Sequence, residues 1–247
     1  MSENQTESLV VSSLTKNFAG LRAVDDVSFI VRPAEILGLI GPNGSGKTTT
    51  INLITGLLNI TSGTVSVGET NLTGLAPHRI AKLGLARTFQ VVRLFREFSV
   101  RENVEVAAIA ATGASRREAA GLASEAMHLV GIGHLAEIKS SVLPQGEERR
   151  VEIARALATL PKFLLLDEPG AGLNDAEIEI FLPTLMRIRQ ERGCGILIVD
   201  HDMRLIMGMS DRLHVLNYGQ TIAEGSPEQV RSHPLVIEAY LGAEVVA

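Results

Sequence analysis

Apolar positions in this chain fall in short runs, separated by turns that carry glycine or proline. Leu9–Leu14 and Val27–Val31 read as short strands on either side of a turn-rich stretch holding Ala19-Gly20. Ile36–Ile40 is an unbroken apolar run that ends in Gly41-Pro42-Asn43-Gly44, the pattern of a buried strand feeding a loop. Thr48–Leu58 is predicted as helix and Thr64–Val67 as a further strand.

The middle of the chain changes character. Ser99–Ala111 and Ser115–Val130 are rich in Ala, Glu, Leu and Arg, which favour helix. Gly146–Leu160 continues the trend, with Val151, Ala154 and Ala158 on one face and Ile153, Ala156, Leu157 and Leu160 beside it. Alternation then returns: Phe163–Leu166 as strand, Asp175–Glu191 as helix, Ile196–Val199 as strand and His201–Met209 as helix. Leu213–Leu216 and Thr221–Ala223 form a closing pair of strands around Gly219. Continuously apolar strands alternating with helices imply an α/β fold with a mostly parallel sheet. The helical middle, roughly Gln90 to Leu160, reads as an inserted subdomain.

Composition narrows the options. With 45% hydrophobic and 21% charged residues over 247 positions, the chain has an ordinary globular balance and ample length for a core. A net charge of −5 argues against a nucleic-acid binder that works by broad phosphate neutralisation. The single cysteine, Cys194, rules out an internal disulfide. Met1–Ser8 is polar and acidic, so no signal peptide is expected, and no apolar run approaches the ~20 residues of a membrane span. Any service to a membrane is expected to run through docking on another chain.

The candidate chemistry begins at Gly41-Pro42-Asn43-Gly44-Ser45-Gly46-Lys47-Thr48, followed by Thr49. The run fits G-x-x-x-x-G-K-[ST] and sits between a predicted strand and a predicted helix, the context this phosphate-binding loop requires. Glycines let backbone N–H groups turn inward, and the helix start adds its positive dipole end. Lys47 would reach the β- and γ-phosphates, and the Thr48 hydroxyl would hold Mg2+. Downstream, the run Phe163–Leu166 ends in Asp167-Glu168-Pro169. Asp167 would support Mg2+, and Glu168 would orient or deprotonate the attacking water.

Leu143-Pro144-Gln145-Gly146-Glu147, followed by Glu148–Leu157, resembles the signature motif and helix of ATP-binding cassette (ABC) proteins. The family pattern is Leu-Ser-Gly-Gly-Gln before a basic helical run ending in Ala-Arg-Ala-Leu. The resemblance implies a P-loop NTPase core with an N-terminal antiparallel β subdomain and an inserted helical subdomain. It implies one cassette over residues 1–247, with a core near 8–89 and 161–240 and helices near 90–160. It further implies that two cassettes meet head to tail, so that residues 143–147 touch the ATP of the partner cassette. Gln90 falls at the Q-loop, where it would touch Mg2+ or water; His201 falls at the H-loop, where it would contact the γ-phosphate; Phe18 matches the aromatic that stacks on adenine. The signature departs from the pattern: Pro144 has neither hydroxyl nor N–H to offer a phosphate, and Gln145 and Glu147 replace Gly and Gln. Gly170–Asn174 likewise ends in Asn rather than Asp.

Ala86–Gln90, Val92–Phe95, Val100–Val104, Ala171–Asn174 and Ala239–Gly242 resemble the ATPases of branched-chain amino acid importers. The resemblance implies ATP and Mg2+ as cofactors, transmembrane permease subunits, a second cassette, either a different chain or an identical one, and an extracytoplasmic solute-binding protein. It implies a peripheral place on the cytoplasmic face of the cell membrane. Urea and short-amide importers and lipopolysaccharide-type export ATPases share part of the pattern, and a soluble ABC ATPase or a non-hydrolysing regulatory subunit is the alternative class. Leu94, Phe95 and Phe98 are candidates either for a groove that receives a permease helix or for the subdomain core.

Overall fold

The computed structural model describes residues 7–89, 92–200 and 203–244. β1 (Leu9–Phe18) and β2 (Leu21–Val31) form one long antiparallel hairpin that turns at Ala19-Gly20, paired from Leu9 opposite Val31 to Phe18 opposite Leu21 with register shifts between Val11 and Asn17. Both strands run well past the limits that their apolar runs predict, because most of the distal half is polar and exposed and strand pairing extends it. β3 (Ile36–Ile40) leads into α1 (Lys47–Ile54), shorter than expected because the chain turns at Gly56, φ 70°. β4 (Ser62–Val67) pairs with β1, and β5 (Thr70–Asn71) adds a short edge. Among the described residues these make one sheet of order β2-β1-β4-β5.

α2 (Pro77–Lys82) and β6 (Leu85–Arg87) come next. α3 (Val100–Thr112), α4 (Arg116–Leu129) and α5 (Gln145–Leu157) then pack on one another. Ser99 and Ser115 start α3 and α4 as reciprocal capping boxes with Glu102 and Glu118, so each S-x-x-E spacing sets a helix start. Leu160, expected beside the buried face of α5, lies beyond its end and is exposed, at φ 55°. β7 (Phe163–Asp167), α6 (Asp175–Arg192), β8 (Gly195–Val199) and α7 (Met203–Met209) restore the alternation. β9 (Arg212–Asn217) and β10 (Gln220–Gly225) close the sheet as an antiparallel pair, and α8 (Pro227–Arg231) and α9 (Pro234–Glu244) end the described chain.

The second sheet has the order β10-β9-β3-β8-β7-β6, parallel except at β10. Every residue of β3, β7 and β8 is buried, as a parallel sheet covered on both faces demands. Strand periodicity sends alternate side chains to opposite cores. Leu37, Leu39, Phe163, Leu165, Leu197 and Val199 pack with the antiparallel sheet. Ile36, Ile40, Leu164, Leu166, Ile196 and Ile198 pack with the helices on the other side, including Phe181, Leu185 and Ile206. Cys194 is buried at the start of β8, and burial pushes its thiol up to about 12.

Gly38 is a point of close approach. A Cβ there would lie 2.6 Å from Leu213 Cδ2 and 2.8 Å from Ser210 Oγ. Gly38→Ala is therefore expected to cost about 1–3 kcal/mol by overpacking. The check is urea unfolding: a lower midpoint at unchanged slope is the expected result.

Candidate functional site

The loop after β3 is shaped by glycine. Gly41 has φ 148° and Gly46 φ 103°. A Cβ on Gly41 would come within 2.0 Å of the Leu216 carbonyl oxygen, and one on Gly46 within 2.6 Å of the Ala23 carbonyl oxygen. The loop is thus seated against β9 on one side and β2 on the other, in a conformation only glycine allows. Gly46 opens α1 without a side-chain cap, so the amides of the first helical turn keep their hydrogen-bonding capacity for something else. Pro42, Asn43, Gly44 and Ser45 complete the turn, with the Ser45 amide donating to Pro42 O at 3.1 Å.

Lys47 folds its ammonium into this loop. Nζ donates to Gly41 O at 2.7 Å, to Pro42 O at 2.9 Å and to Ser45 Oγ at 3.4 Å. Burial pulls its pKa below the usual lysine value, while the charges of Glu168 and Asp167 act against that pull. Lysine and both acids therefore share one electrostatic site, as the sequence predicts. Thr48 is exposed and Thr49 half-buried at the mouth of the loop.

Asp167 ends β7 directly opposite Val199 of β8. The next residue, Glu168, takes φ 47°, a left-handed conformation that costs a non-glycine residue about 1–2 kcal/mol. Its amide donates to Val199 O at 2.7 Å, and its carbonyl accepts from the Ala171 amide at 3.1 Å. These bonds hold the strained turn that carries the carboxylate away from the strand axis, a use of strain that recurs at working sites. Asp200 is buried beside it and accepts from the Gly170 amide at 2.9 Å. His201 follows Asp200 in sequence and, like Gln90, lies outside the described residues.

Phe18 ends β1 with 41% of its surface exposed, and Lys16 Nζ lies 4.9 Å from its ring centre. It is not a core residue. The strand it pairs with continues to Ala23, whose carbonyl touches Gly46.

Leu143 is buried, Pro144 caps α5, and Gln145, Gly146 and Glu147 form the first turn. Pro144 O accepts from the amides of both Glu147 and Glu148 at 3.0 Å. Gln145 packs against Gly172, and a Cβ on Gly146 would sit 2.3 Å from Glu177 Oε1. This turn rests on residues 171–177 of its own chain, and among the described residues no hydrogen bond joins it to residues 41–49. Asn174 caps α6, exchanging bonds with Glu177 at 2.9 and 3.0 Å, a role that Asn and Asp fill equally well.

Two features were not anticipated. Arg149 and Glu152 of α5 form a buried ion pair, 3.1 Å apart, that grips the peptide groups of Phe89. The Phe89 amide donates to Glu152 Oε1 at 2.9 Å, and Arg149 Nη1 donates to Phe89 O at 2.7 Å. Burial raises the Glu152 pKa, opposed by the Phe89 amide and Arg149. The signal was present as opposite charges spaced i, i+3 among the apolar residues of α5. The second feature is a cleft of about 360 Å3 whose lining includes Leu57, Ile80, Leu85, Phe89, Ala107 and Arg155. Of the predicted groove residues, Leu94 packs against the helical core, whereas Phe95 and Phe98 are exposed, 5.3 Å apart, and line no part of this cleft. Leu94 thus takes the core place that the sequence left open for it, and Phe95 and Phe98 do not.

No cluster of three or more His, Cys, Asp or Glu among the described residues is arranged to hold a metal ion. Thr48 and Asp167 instead fit a cation that arrives with phosphate and water oxygens as most of its ligands.

A loop, a lysine and a strained acid turn in this arrangement define a P-loop ATPase. Residues 24–171 match the family model of ABC transporters, and the chain belongs to that ATP-binding, ATP-hydrolysing family. Residues 220–246 match a model described as branched-chain amino acid ATP-binding cassette transporter. The chain is 44% identical to the high-affinity branched-chain amino acid transport ATP-binding protein LivG of Salmonella typhimurium, over 95% of this chain and 97% of the relative. It is 40% identical to BraF of Pseudomonas aeruginosa, with the same name and coverage. Its fold superposes on the ADP conformation of an ATP-binding cassette of an ABC transporter with TM-score 0.86 and 32% identity, covering 96% of this chain and 99% of that one. A dimeric cassette in a post-hydrolysis state bound to ADP and Pi gives 0.78 and 27%, covering 89% and 98%.

Removing Glu152 takes from Arg149 its buried counter-charge and from the Phe89 amide its acceptor. Glu152→Ala is expected to cost about 3–5 kcal/mol. Denaturant unfolding of that variant checks the figure, and a loss below about 1 kcal/mol would show that the clamp is slack.

Proposed function

We propose that this chain is the ATP-driven motor subunit of an importer for branched-chain amino acids or related small solutes, carried at the cytoplasmic face of the membrane by permease subunits. The observation that carries the catalytic part is the Lys47 ammonium, held in a glycine loop, with Asp167 and Glu168 as the carboxylates that act on it. The solute class rests on the names of the relatives at 40–44% identity. No helix among the described residues is long and apolar enough to cross a membrane, which accords with docking on other chains.

In this reading, Phe18 stacks on adenine, and Gly41–Thr49 wrap the phosphates with their amides while Lys47 bears on the β- and γ-phosphates. Thr48, Asp167 and Gln90 would hold Mg2+, which would supply charge stabilisation for the phosphoryl group undergoing transfer. Glu168 accepts a proton from the water that attacks the γ-phosphorus, the bond to the β–γ bridging oxygen breaks, and ADP and phosphate leave. His201 steadies the γ-phosphate. Residues Leu143–Glu147 face the nucleotide of a second cassette. Pro144 contributes no N–H there, so the Gln145 and Gly146 amides at the α5 start carry that contact. Residues near 8–89 and 161–240 serve as the nucleotide-binding core and those near 90–160 as the helical subdomain. The solute is captured upstream by an extracytoplasmic binding protein. The apolar cleft beside Phe89 receives a short helix of a permease subunit, in the manner of an amphipathic helix laid in a groove.

Glu168→Gln is expected to lower phosphate release by about 100-fold or more while nucleotide binding persists. Tagged Glu168→Gln protein recovered from native membranes with ATP and Mg2+ should bring down two polytopic proteins and a second cassette. Recovery with ribosomes or nucleic acid instead would end the transporter reading. For the cleft, Leu57→Glu should abolish solute uptake and leave ATP binding intact; normal uptake by that variant would remove the cleft as the docking site.

A further inference from the structure

Arg87 stands where the site meets its supporting helix. It ends β6, the edge strand that runs parallel to β7. Its Nη2 donates to Asp167 Oδ2 at 2.7 Å, in an ion pair whose side chains are 8% and 3% exposed. Its Nη1 donates to Asn52 Oδ1 at 2.7 Å and to Thr55 Oγ1 at 3.1 Å. The Phe89 ring covers the guanidinium with its centre 5.0 Å away. Thr48, Asn52 and Thr55 are spaced i, i+4, i+7 along α1 and share one stripe of it. That stripe carries the Thr48 hydroxyl at its open end and grips Arg87 one and two turns further on.

We propose that Arg87 is a positioning residue of the nucleotide site, fixing the Asp167 carboxylate to the helix that carries Lys47 and Thr48 so that one oxygen is held ready for a nucleotide-bound divalent cation. The inference rests on the reading of Asp167 as the carboxylate that meets that cation. Oδ2 is taken by Arg87, so Oδ1 is the oxygen left for the cation or its water. The planar fork is suited to this task because its two ends serve different partners at once. A lysine at 87 keeps the charge but carries all its donors on one nitrogen, which lacks the two separate ends of the guanidinium fork. A buried ion pair is a weak source of stability, and here the Arg87 Nε is buried with no hydrogen-bond partner. Orientation of the carboxylate is the return that this arrangement does provide, as with groups that steer metal ligands from behind.

The test uses the full chain in the Glu168→Gln background, with binding of a fluorescent ATP analogue followed while Mg2+ is titrated. Bound Mn2+ is counted in parallel by electron paramagnetic resonance, and Tm is measured without ligand. Arg87→Lys should leave divalent-free ATP affinity within about twofold of the parent and raise the Mg2+ and Mn2+ needed for half-saturation about tenfold. Asn52→Ala, which keeps Arg87 but removes the nearer of its two acceptors on α1 and its cap, should shift cation dependence in the same direction by less. Cation half-saturation within about twofold of the parent in both variants, with or without a fall in Tm, would reduce Arg87 to a structural ion pair and overturn the inference. A parent that binds ATP with no response to Mg2+ would instead overturn the reading of Asp167 itself.

Discussion

The central strands of a parallel sheet buried on both faces hold polar side chains best where they end. β3 and β8 are apolar and buried along their lengths, and β7 is apolar up to Asp167. Their carboxyl ends therefore collect the chemistry: the glycine loop after β3, Asp167 and Glu168 after β7, and Asp200 after β8. The in-register pairing of Asp167 with Val199 sets these ends level. This is the switch-point logic of open α/β sheets, in which the crevice beyond the strand ends takes the ligand. The strain at Glu168 is affordable because the turn is pinned to β8 by a backbone bond rather than left to find its own conformation.

How far the sequence reveals this depends on whether a feature is local. β3 is read from its apolar run to the residue, and β7 and β8 to within one residue, because continuous burial writes itself as an unbroken apolar string. α3 and α4 were readable for another local reason, the serine–glutamate capping spacing. α2, β5 and β6 were missed. They are two to six residues long, and β6 is a strand only because β7 lies beside it. α8 and α9 were missed as well, although Ser226-Pro227 with Gln229 three residues after the serine is a sound helix start. The predicted loop, Lys47, Asp167 and Glu168 converge as expected, since each belongs to a motif whose order along the chain constrains the topology.

Side-chain partnerships between distant segments left no such trace. Arg87 finds Asp167 across 80 positions, and Arg149 finds the Phe89 carbonyl across 60. Nothing in either neighbourhood names the other. The cleft beside Phe89 left no trace for the same reason. Phe95 and Phe98 are conspicuous in the sequence, but a cleft is made where elements fail to meet. Leu57, Ile80 and Ala107 come from three separate parts of the chain.

Charged side chains hold the two halves of the molecule in register in a way that apolar contact alone does not. α5 begins with the turn that rests on residues 171–177, and its next turns seize the chain near Gln90: Glu148 holds Arg96, Arg149 and Glu152 hold Phe89, and Arg155 holds the Arg93 carbonyl. Each of these bonds has a direction and a length, and those of Arg149 and Glu152 to Phe89 are shielded from water, so α5 and Phe89 must shift together or break shielded polar contacts. Glu152, Arg155 and Phe89 also line the cleft, and Phe89 in turn covers Arg87. From the cleft to Asp167 there is thus a continuous series of contacts: Glu152 to the Phe89 peptide, the Phe89 ring to Arg87, and Arg87 to Asp167. Contiguity of this kind gives a displacement at the outer end a physical route inward. Leucines in the same places would slide past one another at small cost. An arrangement of forks, carboxylates and peptide groups is better suited to pass a displacement on, since it tolerates only arrangements that satisfy every member.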